Sequence, residues 1–236
     1  AYYDYEQIHD DLAMHAAMVY DFAFDYLSRH PHAHLKEIGK DTKSVAVEVF
    51  KRFIDIGLVR GGKSGNWNVN GWNMMLRPVL VLDSDEAYPD GKGKEYYLNL
   101  LVNESTPYHD AIPDMLKTYD PVTGLWPESP GYSFGTIQML LDWAAPLKRA
   151  GIDIIAGNPI LQKAAMAVFP WMDDAANMVV FGDSRGGSAN FQTFENLLAY
   201  YAGITDKAGM EKVASALNKG ISQKKYTRNN AGWTGL

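Results

Sequence analysis

Residues 5–29 read YEQIHDDLAMHAAMVYDFAFDYLSR. Apolar side chains recur there every three or four positions, which is the spacing of one face of an α-helix. They are Ile8, Leu12, Ala16, Val19, Ala23 and Leu27. The segment therefore predicts a long amphipathic helix, ended by the His30-Pro31-His32 sequence that follows it.

Eight further segments have helical spacing or are apolar enough for a buried helix. They are 45–58, 74–82, 95–102, 111–118, 134–148, 160–169, 191–201 and 210–217. Pro78 is expected to kink its helix, and Pro146 is expected to end its helix early. Met178 to Phe181 is a candidate for a short strand, but no long alternating segment occurs. The sequence predicts an all-α protein.

Helices joined by connections of very different length favour stacked antiparallel hairpins. We predict a single domain over residues 1–236, an (α/α) toroid or incomplete barrel, with short turns at one end and long functional loops at the other. The chain is long enough for a large core. An irregular helical bundle is the alternative arrangement.

The composition argues against several function classes. The chain is 47% hydrophobic and 21% charged, with a net charge of −6 and no cysteine. It lacks the basic character of a nucleic-acid binder, the thiols needed for disulfides or thiolate metal sites, and an apolar run of about 18 residues that could span a membrane. We expect no metal or other cofactor and no nucleic-acid or membrane partner.

Three polar segments interrupt the helical pattern. The first, Ser64 to Trp72, contains three asparagines and two tryptophans: Asn66, Asn68, Asn70, Trp67 and Trp72. One Asn would serve as a helix cap and others as turn residues. Three amides beside two Trp rings also suit a carbohydrate, because amides bind hydroxyl and carboxylate groups and indole faces stack on sugar rings.

The second segment, Gly124 to Gly135, contains Trp126, Glu128 and Tyr132 in what we predict to be a Pro/Gly-stiffened loop. Rigidly held loops are frequent locations of binding and catalytic groups. Each residue also has a structural interpretation: Trp126 as a packing anchor, Glu128 beside a helix N-terminus, and Tyr132 as a core tyrosine with a satisfied hydroxyl.

The third segment, Phe181 to Gly187, contains Asp183 and Arg185 in a glycine-rich turn. It lacks the Gly-x-x-x-x-Gly-Lys pattern of a phosphate loop, and the chain has no His-Glu-x-x-His zinc motif. A capped turn with a surface Arg is the structural alternative. His30, His32 and His34 alternate with Pro and Ala, which is more typical of a solvated turn than of a metal site.

Together the segments resemble the heparinase II/III-like polysaccharide lyases, across about residues 60 to 200. Asn66-Trp67-Asn68, the 124–132 segment GLWPESPGY and the 181–184 segment FGDS occur in the order of that family's Asn-Trp-Asn, Gly-x-Trp-x-Glu-Gly-x-x-Tyr and Phe-Gly-Asp-Ser boxes. The middle box is the most specific of the three.

The resemblance implies an (α/α) toroid followed by a C-terminal β-sandwich, so we expect this chain to be the toroid part of a longer, periplasmic or secreted protein. It implies Tyr132 as Brønsted base and acid, and Asn66 as the donor to the uronate carboxylate of a glycosaminoglycan- or alginate-like polysaccharide. The family often adds a neighbouring His, and the sequence shows none beside Asn66.

Further substrate contacts are expected from residues of all three segments: Trp67, Asn68, Asn70, Trp126, Glu128, Asp183 and Arg185. Arg185 is the candidate for lowering the pKa of the Tyr132 phenol or for binding substrate charge. Two alternatives remain: a glycoside hydrolase on the same toroid, with Glu128 and Asp183 as its carboxylate pair, and a non-catalytic glycan-binding toroid.

Overall fold

The computed structural model of the chain describes residues 7–173, 176–184, 189–201 and 207–227, and these form an all-α protein. The helices are α1 (Gln7–Arg29), α2 (Ala33–Glu37), α3 (Thr42–Arg60), α4 (Gly65–Leu80), α5 (Lys94–Val102), α6 (Ile112–Leu116), α7 (Pro130–Arg149), α8 (Pro159–Ala167), α9 (Phe191–Tyr201) and α10 (Lys207–Ser222). Two short 3₁₀ helices cover Asp85–Ala87 and Phe169–Trp171.

No strand occurs in the described ranges. Among the described residues around the candidate strand Met178 to Phe181, the structure shows an isolated antiparallel bridge between Met172 and Met178. The all-α prediction is therefore confirmed, whereas the toroidal arrangement remains a prediction. None of the helices described is both long and apolar enough to cross a lipid bilayer.

The chain forms two compact units, residues 1–115 and 116–236. In the first unit α4 packs against α1, α3 and α5. The core is built from one side of each helix, where a fully buried large side chain contributes about 1.5 to 3 kcal/mol. It includes Tyr20, Phe50, Ile54, Val69, Trp72, Met75, Leu76, Tyr97 and Leu101.

Two local contacts position α3 and α4. Asp41 caps α3, accepting a bond from the Ser44 N–H at 2.8 Å, and the Ser44 hydroxyl accepts one from the Asp41 N–H at 3.2 Å. This reciprocal arrangement is a capping box. Further along α3, a Cβ on Gly57 would lie 2.5 Å from the Met75 sulfur, so a larger residue there would force the Met75 side chain to shift.

α1 packs by a different face from the one its sequence indicates. Leu12 and Val19, on the predicted apolar face, are 72% and 65% exposed, whereas Ala17 and Tyr20 are buried. The reason is the position of α3 and α4, against which α1 packs, with Tyr20 edge-on to Phe50 of α3. Periodicity located the helix correctly, but the buried direction depends on its neighbours.

In the second unit α7 packs against α8 and α9, and α9 packs against α10. Pro146 does not end α7, which continues to Arg149. Trp143 and Leu147 beside it are fully buried, and this packing holds the last turn despite the hydrogen bond that proline removes. The core of the unit contains Trp126, Phe134, Ile137, Leu140, Trp143, Leu161, Phe194 and Leu197.

Candidate functional site

The start of α4 contains the first polar segment. The sequence placed its asparagines at turn or cap positions, but the helix begins at Gly65, so Asn66, Asn68 and Asn70 are all helical. The preceding residue, Ser64, has φ 67° and ψ 170°. This backbone region is almost exclusive to glycine and costs on the order of 1 to 3 kcal/mol for other residues. The Ser64 side chain makes no capping bond.

Asn68 holds the start of α4 to a distant loop. Its side-chain amide donates to the Asp110 carbonyl at 3.0 Å, and its side-chain oxygen accepts from the Asp110 N–H at 3.0 Å. The residue is only 1% exposed. Both polar ends of Asn68 are thus bonded inside the protein, and the predicted substrate contact does not fit this position.

The other two amides of the segment are differently placed. Asn66 and Asn70 are half-buried, and neither side chain forms a hydrogen bond with another described residue. Residues four apart lie on the same face of a helix, so these two amides share one face of α4. Trp67 between them is 57% exposed. Asn66, Asn70 and Trp67 therefore remain available to a ligand.

His109 lies in the loop that Asn68 holds. The residue is 2% exposed, and its Nε2 atom is buried without a hydrogen-bond partner. Burial, with a smaller contribution from the nearby Lys63 charge, lowers the pKa of His109 to about 4. The imidazole is therefore neutral at pH 7.

Lys63 joins the loop and the α4 start electrostatically. Its ammonium lies 3.4 Å from an Asp110 carboxylate oxygen and donates to the Thr106 carbonyl at 3.1 Å. Lys63, His109 and Asp110 were all missed by the sequence reasoning. The Asn68 contact spans 42 residues, so no local spacing indicates it. A histidine between Tyr108 and Asp110 in a polar connection was the available clue.

The start of α7 contains the second segment. Its loop was predicted to include Tyr132, but the helix begins at Pro130, a position where proline's fixed φ suits the first helical turn. Trp126 is 2% exposed, packs edge-on against Tyr119 and donates its indole N–H to Glu128 at 2.8 Å. Trp126 is thus a core anchor that orients Glu128, and stacking on a sugar does not fit its burial.

The second and third segments meet at this helix start. The Gly131 N–H donates to the Ser184 hydroxyl at 2.9 Å, and a Cβ on Gly131 would lie 3.1 Å from that oxygen. The Ser129 hydroxyl is buried and has no hydrogen-bond partner among the described residues.

Tyr132 is the third residue of the helix and is 40% exposed, and Asp183 is exposed beside Ser184. The structure therefore brings the segments containing Tyr132 and Asp183 together within the second unit. Asn66, Trp67 and Asn70 belong to the first unit, and their convergence with Tyr132 remains a prediction. Arg185 lies outside the described residues.

No metal centre accompanies these groups in the part of the chain that is described: no three His, Asp or Glu side chains lie close enough together to hold an ion.

Comparisons of the chain with protein-family models, with curated proteins and with solved structures find no match.

Proposed function

We propose that this protein is a polysaccharide lyase that cleaves a uronate-containing polymer by β-elimination. The observation that carries the proposal is the start of α7, where the Tyr132 segment is bonded to the Phe-Gly-Asp-Ser segment through Gly131 and Ser184. Two motifs joined by residues 53 positions apart in sequence thus frame a partly exposed tyrosine. Their resemblance to the boxes of the heparinase II/III-like lyases supports the same activity.

In the proposed reaction, Tyr132 removes the proton on C5 of the uronate, α to its carboxylate. The electron pair moves into the ring, the C4–O bond to the next sugar breaks, and a C4–C5 double bond forms. Tyr132 then returns a proton to the departing oxygen.

Negative charge grows on the uronate carboxylate during proton removal. Donors aimed at that group stabilise the transition state more than the ground state. Asn66 is the proposed donor, with Asn70 on the same helix face as its neighbour and Trp67 as a surface for the sugar ring. Asn68 acts indirectly, by fixing the α4 start. Arg185 stays the proposed partner of substrate charge or of the phenolate.

The proposed setting follows from the substrate. A glycosaminoglycan- or alginate-like polymer is met outside the cytoplasm, so we propose a periplasmic or secreted location. An (α/α) toroid over this chain, with a β-sandwich in the full-length protein, is part of the same proposal.

The test is a panel of uronate polysaccharides incubated with the full-length protein and read by ultraviolet absorbance of the new double bond. Tyr132→Phe is expected to lower kcat by at least about tenfold, since general acid–base help is worth about 10²- to 10⁴-fold. Glu128→Gln is the matched variant, because a hydrolase using Glu128 and Asp183 would lose more with that change and yield no absorbing product. Binding without turnover would identify a glycan-binding protein instead.

A further inference from the structure

A groove of about 810 Å³ lies in the first unit, away from the residues assigned above. One wall is α3, the other contains Lys92 and α5, and the segment Thr106 to Tyr108 closes one side. Its volume is within the range of ligand sites, about 300 to 1,000 Å³. All its lining residues belong to the first unit.

The charges of the groove leave an excess of positive charge. Lys51 is paired with Asp90 at 2.8 Å and Glu48 with Lys40 at 2.8 Å. The Asp55 carboxylate accepts a hydrogen bond from the Tyr97 hydroxyl at 2.9 Å.

The two remaining cations, Arg52 and Lys92, have no described carboxylate within ion-pair distance, although the Arg52 charge helps to lower the pKa of Glu48. Lys92 lies over the Tyr96 ring at 5.4 Å instead. Counted with Glu48 and Asp55, the three cations of the lining leave the groove with a net charge of +1, which favours an anionic ligand.

The apolar part of the groove consists of ring faces and branched side chains. Tyr108 is 53% exposed, Ile56 40% and Val59 55%, and Tyr96 is half-buried. A purely apolar partner would cover Arg52 and Lys92 without compensating their charge. A sugar acid satisfies both requirements, because its C–H faces pack on tyrosine rings while its carboxylate meets the cations.

The loop at the edge of the groove also contacts the start of α4. Thr106, at its edge, accepts a bond from Lys63 through its carbonyl and donates its hydroxyl to the Leu58 carbonyl at 3.0 Å. The same loop continues to Asp110, which Asn68 holds. A chain bound beside Asn66 and Trp67 can therefore extend into the groove along this loop.

We infer that the groove is a subsite for acidic sugars flanking the one that is cleaved, and that Arg52, Lys92 and Tyr108 make the protein select long acidic oligosaccharides. This inference rests on the proposed function for the identity of the polymer. It adds a specificity-determining surface that contributes binding and takes no part in bond breaking.

The experiment measures binding to full-length protein carrying Tyr132→Phe, so that turnover does not interfere. Titration calorimetry compares a uronate disaccharide with a longer oligosaccharide of the same polymer. The double change Arg52→Ala with Lys92→Ala is expected to weaken binding of the long ligand by about tenfold or more, while disaccharide binding stays unchanged. Tyr108→Ala should weaken the long ligand as well.

The control is Arg149→Ala with Lys36→Ala, two exposed residues whose removal changes the net charge equally and should leave both affinities unchanged. Equal loss in control and test variants, or loss of disaccharide binding, would overturn the inference. The inference would also be overturned if light scattering showed that the groove variant and its parent differ in oligomeric state, because the groove would then bind a second copy of the chain.

The two proposals can fail separately. If the unmodified protein forms no double-bond product but the Arg52→Ala, Lys92→Ala variant still loses length-dependent binding, the lyase activity is rejected and the groove subsite is retained. A normal lyase whose length preference survives in the groove variant would reject the groove alone.

Discussion

Three asparagines within the first two turns of α4 have different surroundings. Asn68 is bonded at both ends to the backbone of Asp110 and is almost fully buried. Asn66 and Asn70 are half-buried and have no such bonds within the described residues. The sequence treats the three as equivalent candidates, because composition and spacing carry no information about a partner 42 positions away. The contacts distinguish the structural amide of Asn68 from the two amides that remain available to a ligand.

Replacing Asn68 should therefore affect stability, and replacing Asn66 should affect activity. Asn68→Ala leaves a buried N–H and C=O of Asp110 unpaired, and each such group costs about 1 to 3 kcal/mol. We expect the free energy of unfolding to fall by about 2 to 4 kcal/mol in urea denaturation. Asn66→Ala, the matched control, should change it by less than about 0.5 kcal/mol while lowering kcat. Equal destabilisation by both would contradict the distinction.

His109 makes a testable contribution to pH dependence. Its pKa in the folded protein is about 4, below the ordinary value of about 6.5. The unfolded chain therefore binds the proton first as the pH falls, and stability is lost between about pH 6.5 and pH 4. One pKa unit corresponds to about 1.4 kcal/mol, so the loss from this group is about 3 kcal/mol.

The measurement compares urea unfolding of the parent chain and His109→Phe at pH 7 and pH 4. The variant should lose about 3 kcal/mol less than the parent over this interval. Carboxylates titrate in both proteins and cancel in the difference. Identical pH dependence in the two proteins would show that His109 is protonated as easily in the folded state as in the unfolded one.

At the scale of the elements, the sequence predicts helices better than it predicts their ends and faces. Periodicity located α1, α3 and α9, since i, i+3, i+4 spacing is a local property. The starts of α4 and α7 were placed too late, because polar and glycine-rich first turns resemble loops. The buried face of α1 was misjudged because Leu12 and Val19 are apolar yet have no covering neighbour among the described residues.

The start of α4 offers a test at this scale. Ser64 has a backbone conformation suited to glycine, so Ser64→Gly should relieve strain. The free energy gained by relieving this strain exceeds the stability that glycine costs through its greater entropy in the unfolded chain, about 0.4 to 1 kcal/mol. We therefore expect stability to rise by about 1 kcal/mol in thermal or urea unfolding. Gly65→Ala is the control with the opposite expected effect. Gly65 has φ 65°, so alanine at this position should destabilise the protein. A destabilised Ser64→Gly variant would show that Ser64 is not strained.

For the whole molecule, the all-α class could be predicted from the absence of alternating apolar segments, and the structure confirms it. The arrangement of the helices could not, because it depends on contacts between distant residues such as Gly57 with Met75. Of the site, the contact between the second and third segments is observed. The meeting of the first segment with Tyr132 remains the prediction on which the proposed catalytic centre depends.

The absence of cysteine makes that prediction directly measurable with pairs of spin labels. Tyr132 and Arg149 are near opposite ends of α7, about 25 Å apart. If the start of α4 meets Tyr132, labels at Trp67→Cys and Tyr132→Cys should therefore lie closer together than labels at Trp67→Cys and Arg149→Cys. Pulsed electron paramagnetic resonance gives both distances. A shorter Trp67 to Arg149 distance would separate Asn66 from Tyr132 and require a different catalytic pairing.

The Asn68 to Asp110 contact also has a consequence for the order of events during synthesis. Its partners are 42 residues apart, and joining them costs chain entropy that adjacent helical turns do not pay. While the chain emerges at about 5 to 20 residues per second, α3 and α4 leave the ribosome well before Asp110. Nascent chains ending after α5 should thus contain α3 and α4 without the Asn68 contact, and the first-unit part of the proposed carbohydrate site cannot form until the Thr106 to Asp110 loop has left the ribosome.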